Sequence, residues 1–127
     1  MKRMLVLLSA GLGACSAQPT SAPPPLAAAG SQVNCIDLQQ VSGRRVVPPS
    51  AVEFDMVGGI SYRNDFQGSC PSAARADAST IIQTESQSTR LCRDDRVRVY
   101  DPVEARTTGA RSFAVCRLGA FTAIPMR

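Results

Sequence analysis

Val52-Glu53-Phe54-Asp55-Met56-Val57-Gly58-Gly59-Ile60-Ser61-Tyr62-Arg63 is the stretch that decides the fold class. Residues 52–56 alternate apolar and acidic, and residues 60–63 alternate apolar and polar, the period-2 pattern of half-buried strands. Two such runs around Gly58-Gly59 make a hairpin, and its register can be reasoned out. A two-residue Gly-Gly loop would set Phe54 opposite Arg63 and Asp55 opposite Tyr62, mixing the faces. A three-residue loop sets Met56 opposite Ile60, Phe54 opposite Tyr62 and Glu53 opposite Arg63. Directly opposed residues share a face, so only the second register sorts apolar from charged. It is also a common hairpin form, a type I turn closed by a left-handed glycine, the conformation expected of Gly59.

Outward from this hairpin the same reasoning marks further strands. Val46-Val47 is one, stopped by Pro48-Pro49; residues 80–84, with Ile81 and Ile82, form another. Residues 96–100 read clearly, with Val97 and Val99 inward and Arg96, Arg98 and Tyr100 outward, ended by Asp101-Pro102. Residues 112–115 are the last strand candidate, and 73–78 hold one helical turn. Tyr62-Arg63-Asn64-Asp65 turns the chain after its strand. Short strands at modest spacing with turn signals between them imply a mostly β fold. The expectation is a small antiparallel sandwich or barrel of about five to six short strands, disulfide-braced, over residues 34–127. No internal repeat occurs.

The 127 residues bound the protein to one domain, and the absence of Trp and scarcity of aromatics make its core small and aliphatic. Net charge is +4, of which Lys2 and Arg3 supply two, too weak a balance to argue for nucleic acid. Histidine is absent altogether. That removes the commonest general base, every Ser-His-Asp or Cys-His arrangement and the helical zinc-protease signature.

Five cysteines are present. Cys15 belongs to the amino-terminal segment, which leaves Cys35, Cys70, Cys92 and Cys116. Four cysteines in a small exported domain imply two disulfides, and sequence leaves three connectivities open. We favour Cys70–Cys92 and Cys35–Cys116, because the first pair bounds a polar excursion and the second brackets the domain. A four-cysteine zinc site normally takes its ligands in close pairs, and no such pairs exist here. Neither a metal nor a cofactor is expected.

The amino terminus carries an address. Lys2 and Arg3 are followed by a short apolar run over 4–12 and by Leu12-Gly13-Ala14-Cys15. The run is far shorter than the roughly 20 residues needed to span a bilayer. A charged start, a short apolar core and a small-residue exit form a signal segment. It resembles the export signal and lipobox of bacterial lipoproteins. That resemblance implies a signal peptide over 1–14, lipidation of Cys15 by several acyl chains and lasting attachment to the membrane. Ser16, where an Asp favours inner-membrane retention in Gram-negative lipoproteins, points to the outer membrane, with the domain facing the periplasm. Residues 15–33, rich in Pro, Ala and Ser, read as a tether, able to extend about 3.1 Å per residue where it adopts polyproline II.

Candidate sites follow from face sharing. Glu53 and Asp55 lie on one strand face as paired carboxylates, which can serve glycoside hydrolysis, although alternation already accounts for them as solvated outward positions. Arg96, Arg98 and Tyr100 share the outward face of another strand and form a candidate anion or partner face. No Gly-x-Ser-x-Gly elbow, phosphate loop or dinucleotide fingerprint occurs.

Cys35-Ile36, Tyr62-Arg63-Asn64, Cys70-Pro71, Leu91-Cys92 with Asp95, Val97 and Val99, and Cys116-Arg117-Leu118-Gly119 with Phe121 form a set. Together they resemble a family of small exported Gram-negative proteins, often lipoproteins, that carry a cysteine-containing domain of unknown function. The resemblance implies fold and location, and no activity. The expected function is therefore a non-catalytic binding or structural module, held in the cell envelope by its lipid and partnered by another envelope protein. The alternatives are a periplasmic hydrolase using carboxylates, and a proteinaceous inhibitor of a hydrolase presenting residues 84–90 or the Gly58-Gly59 turn.

Overall fold

The computed structural model describes residues 28–125. In chain order these form β1 (Gln32–Val33), β2 (Cys35–Asp37), β3 (Val41–Val47), β4 (Ala51–Met56), β5 (Ile60–Asp65), α1 (Pro71–Ala74), β6 (Ile81–Thr84), β7 (Arg90–Cys92), β8 (Arg96–Tyr100), α2 (Pro102–Thr108), β9 (Val115–Arg117) and β10 (Phe121–Pro125). Short 3-10 turns lie at Leu38–Gln40 and Ala110–Ser112. The fold is mostly β and antiparallel, with ten strands among the described residues where the sequence pattern separates five to six; β3 and β5 run longer than expected, and β1, β2 and β7 are unforeseen strands of two or three residues.

The β4–β5 hairpin has the register derived from its side chains: Glu53 stands opposite Arg63 and Phe54 opposite Tyr62. Gly59 takes the positive φ expected of it, but Gly58 sits at positive φ as well, so the chain reverses in three residues without the type I turn expected. This hairpin is the centre of a five-stranded sheet ordered β1-β10-β5-β4-β3. A three-stranded sheet, β6-β8-β9, and a two-stranded ribbon, β2-β7, pack with it in a sandwich-like arrangement without closing a barrel. One core joins them: Val52, Phe54 and Phe121 from the large sheet meet Val97, Val99, Cys116 and Ile82 from the small one and Leu91 and Ile36 from the ribbon. The Phe54 and Phe121 rings pack at 5.9 Å between centroids.

Several sequence expectations are corrected. The disulfides are Cys35–Cys92 and Cys70–Cys116, not Cys70–Cys92 and Cys35–Cys116. The reason is strand neighbourhood. β2 pairs with β7, which places Cys35 directly opposite Cys92, while Cys70 and Cys116 are both buried in the shared core. Residues 112–115 are not the last strand: Ser112 ends a 3-10 turn, β9 runs on through Cys116, and β10 follows. Asn64 and Asp65 belong to β5 rather than to a turn, because their backbone pairs with β4 on one side and Asn64 pairs with β10 on the other. The helical turn begins at Pro71, ahead of 73–78.

Glu53 and Asp55 are also corrected. Alternation places them on one face, as it should, but that face does not leave them solvated. Glu53 is 1 % exposed and Asp55 half-buried. β4 is a central strand, so Arg45 of β3 and Arg63 of β5 flank Glu53 in the same cross-strand row, and Arg45 forms an ion pair with it.

The signal-like residues 1–14, Cys15 and most of the tether lie outside the described residues. The last tether residues do not. The Gly30 N–H donates to Ala123 O (2.8 Å), the Ala123 N–H donates to Ser31 O (2.8 Å), and Gln32–Val33 pairs with β10. The sheet thus takes in residues a few positions before the expected boundary at 34. These residues show no apolar periodicity, yet their backbone pairs along the edge of β10 and Val33 packs against the core.

Candidate binding face of the small sheet

Val97 and Val99 turn inward, so Arg96, Arg98 and Tyr100 turn out from β8, as the sequence predicts. Register decides what joins them. Arg117 stands opposite Arg96, Val115 and Gln83 stand opposite Arg98 from the two sides, and Ile81 stands opposite Tyr100. The outward face of β6-β8-β9 is thereby graded. One end carries guanidinium groups, and the other carries Ile81, Tyr100 and the neighbouring Phe113. Ile81 (39 %) and Val115 (36 %) are among the most exposed large apolar residues described. Tyr100 and Phe113 pack at 5.7 Å between ring centroids.

The three arginines have different fates. Arg98 is held, its side chain only 19 % exposed. It ion-pairs with Glu85 and donates to the Arg111 carbonyl (3.0 Å) and the Phe113 carbonyl (2.6 Å). It therefore ties down the base of the 102–114 excursion between β8 and β9. Arg117 lies 3.8 Å from the Asp94 carboxylate, which also accepts from the Gln67 amide (2.7 Å). Asp94 takes φ +73, a left-handed conformation that aspartate tolerates. Asp95 is spent on the backbone, accepting from the Cys92 N–H (2.8 Å). Arg96 is exposed and has no side-chain partner among the described residues. Like charges directly opposite on neighbouring strands repel, so the Arg96–Arg117 row holds a local excess of positive charge.

Two clefts flank the Arg98–Glu85 pair. One, of about 470 Å³, is lined by Arg96, Val115, Asp94 and Asp95 beside that pair. The other, of about 780 Å³, lies between residues 83–87 and 109–111.

Sequence reasoning identified Arg96, Arg98 and Tyr100 as one face but missed Arg117, Val115 and Ile81. The missing signal was the position of β9: with the last strand set at 112–115, Arg117 had no partner row. The carboxylates fare differently as a catalytic pair. Glu53 is ion-paired with Arg45, and Asp55 accepts from the Ser61 hydroxyl (2.6 Å). Among the described residues no group of three or more Cys, Asp and Glu is arranged to hold a metal, and Cys35, Cys70, Cys92 and Cys116 are all consumed in disulfides. No described helix is long and apolar enough to cross a membrane. Two disulfides are the usual mark of an extracytoplasmic protein. Residues 84–90 are pinned by the Ser86 and Ser88 hydroxyls, which accept from the Ser88 and Arg90 N–H groups, and Val57 is exposed at the 57–59 tip.

Compared with models of known families, the chain matches none, and it likewise matches no curated protein and no solved structure.

Proposed function

We propose that this protein is a non-catalytic binding module of the cell envelope, anchored through lipid on Cys15 and facing the periplasm from the outer membrane. Its partner, an envelope protein, docks on the outward face of β6-β8-β9. The observation that carries this reading is Arg96: an exposed guanidinium without an acidic partner, set directly against Arg117 on an open face that also exposes Val115 and Ile81. Arginine and aromatic residues beside apolar ones are the composition of interface centres. The lipobox-like sequence supports the anchor, the tether supplies reach, and the resemblance to small exported lipoproteins agrees with both. The ion pair on Glu53 and the hydrogen bond on Asp55 give these carboxylates structural work, which weighs against the hydrolase alternative.

The test is crosslinking and pull-down of the lipidated protein from its own envelope, alongside Arg96→Gln and Arg117→Gln. A reproducible partner lost with either variant is expected. Turnover of a cell-wall or glycan substrate, abolished by Glu53→Gln or Asp55→Asn, overturns the reading. Mass spectrometry of the mature amino terminus checks the anchor, and an unmodified Cys15 refutes it.

A further inference from the structure

We infer that the face on β6-β8-β9 takes an extended acidic peptide segment, with one carboxylate seated on Arg96 and Arg117 and an aliphatic or aromatic side chain four residues away on Ile81 and Tyr100. This rests on the binding reading above and names the chemistry of the partner.

Charge selects the carboxylate. The face and its two clefts carry four guanidinium groups, on Arg96, Arg98, Arg111 and Arg117, and three carboxylates, on Glu85, Asp94 and Asp95. A net charge of 4 − 3 = +1 is too small to favour an anionic bilayer or a polyphosphate. On its strands the face has instead one unneutralised guanidinium at a fixed place, reinforced by a like charge opposite. A single carboxylate bridging Arg96 and Arg117 matches that excess and relieves the repulsion. Arginine binds carboxylate in a planar, two-pronged way that suits a site on rigid strands.

Geometry selects the spacing. Arg96 and Tyr100 are four residues apart on one antiparallel strand, about 14 Å at the usual rise per residue. An extended peptide lying along β8 has the same rise, and its residues i and i+4 point to the same side. An acidic residue on the Arg96–Arg117 row thus places the side chain four positions away over Ile81 and Tyr100, whichever way the peptide runs. Val115, on the intermediate row opposite Arg98, supports the segment between the two anchors.

The experiment is an NMR titration of the purified full-length protein in detergent with synthetic heptapeptides in a Ser/Thr background. One carries Glu and Phe at i and i+4, a second replaces the Glu by Gln, and a third sets Glu and Phe at i and i+3, on opposite sides. The expected result is binding of the first peptide roughly tenfold or more tighter than of the other two, with amide shifts centred on Arg96, Val115 and Arg117. That preference is lost in Arg96→Gln, weakened in Ile81→Ser, and kept in Arg93→Gln, a nearby arginine off this face. Equal binding of the Glu and Gln peptides, or an equal loss in Arg93→Gln, overturns the inference. So does Arg96-dependent binding to anionic phospholipid vesicles without peptide preference. A face-dependent partner in the pull-down together with indifferent peptides refutes this chemistry and leaves the binding reading standing. Discriminating peptides with no face-dependent envelope partner do the reverse.

Discussion

Asn64 and Gly119 show how one pair of residues holds two sheets in place. The Asn64 amide donates to Gly119 O (2.8 Å) while its carbonyl accepts from the Gly119 N–H (2.7 Å), and both residues are buried. A Cβ on Gly119 would sit 2.4 Å from the Asp65 carbonyl oxygen, a backbone atom that cannot swing aside. Gly119→Ala is therefore expected to cost about 3 kcal/mol. Gly59→Ala, where a Cβ meets open space and only the positive φ resists, is expected to cost about 1–2 kcal/mol. Asn64→Ala leaves a buried N–H and C=O without partners and is expected to cost about 3 kcal/mol. Urea-denaturation midpoints of the three purified variants check the ranking, and a Gly59→Ala cost equal to that of Gly119→Ala refutes it. The left-handed Gly59 was legible in the sequence, and the Asn64–Gly119 pair was not. Asn64 looks like a turn residue because its hydrogen bonds run to a partner 55 positions away.

Among the elements, α2 was the clearest omission. Asp101-Pro102 reads as the end of a strand, and it is one, but the same dipeptide starts a helix. The Asp101 carboxylate accepts from the Val103 and Glu104 N–H groups, and Pro102 sits at the first helical position, where its missing N–H costs nothing. The helix has no buried residue, so no apolar stripe announced it. What holds the excursion is Arg98 at its base. Arg98→Ala is expected to speed amide exchange over 110–115 and to lower stability by about 2 kcal/mol, because two carbonyls lose a charged donor. Unchanged exchange there would show that the clamp is idle. The turn before β6 makes a pH prediction. Hydrogen bonds from the Ser79 hydroxyl and N–H hold the Asp77 carboxyl below the usual aspartate range. Its stabilising effect is full above the unfolded value and is lost as pH falls through the lower folded value. Asp77→Asn is expected to flatten the acid limb of the stability–pH curve below about pH 4; an unaltered limb counts against the turn. By contrast the register of the β4–β5 hairpin was legible, since one register alone segregates its side chains.

At the scale of the whole molecule, connectivity separates what sequence can say from what it cannot. Two disulfides followed from the count and the spacing of the cysteines. Their pairing did not, since it depends on which strands become neighbours, and β2 joins β7 across 57 residues. The observed bridges overlap along the chain: Cys35–Cys92 encloses Cys70, and Cys70–Cys116 encloses Cys92. Each closes a loop of about fifty residues, worth about 4 kcal/mol on the chain-entropy model. Overlap makes their effects non-additive, because the first bridge already shortens the path the second must close. A domain of this size is stable by only roughly 5–15 kcal/mol. Cys35→Ser with Cys92→Ser, or Cys70→Ser with Cys116→Ser, is thus expected to leave a folded but weakened protein. Full reduction is expected to leave none. Circular dichroism and denaturant midpoints of the two paired variants and of the reduced, alkylated protein decide the matter. A reduced protein with an unshifted midpoint would show that the aliphatic core alone suffices. A pattern of mixed disulfides in the Cys35→Ser/Cys92→Ser variant would show that Cys70 and Cys116 find each other only after β2 and β7 have been tied.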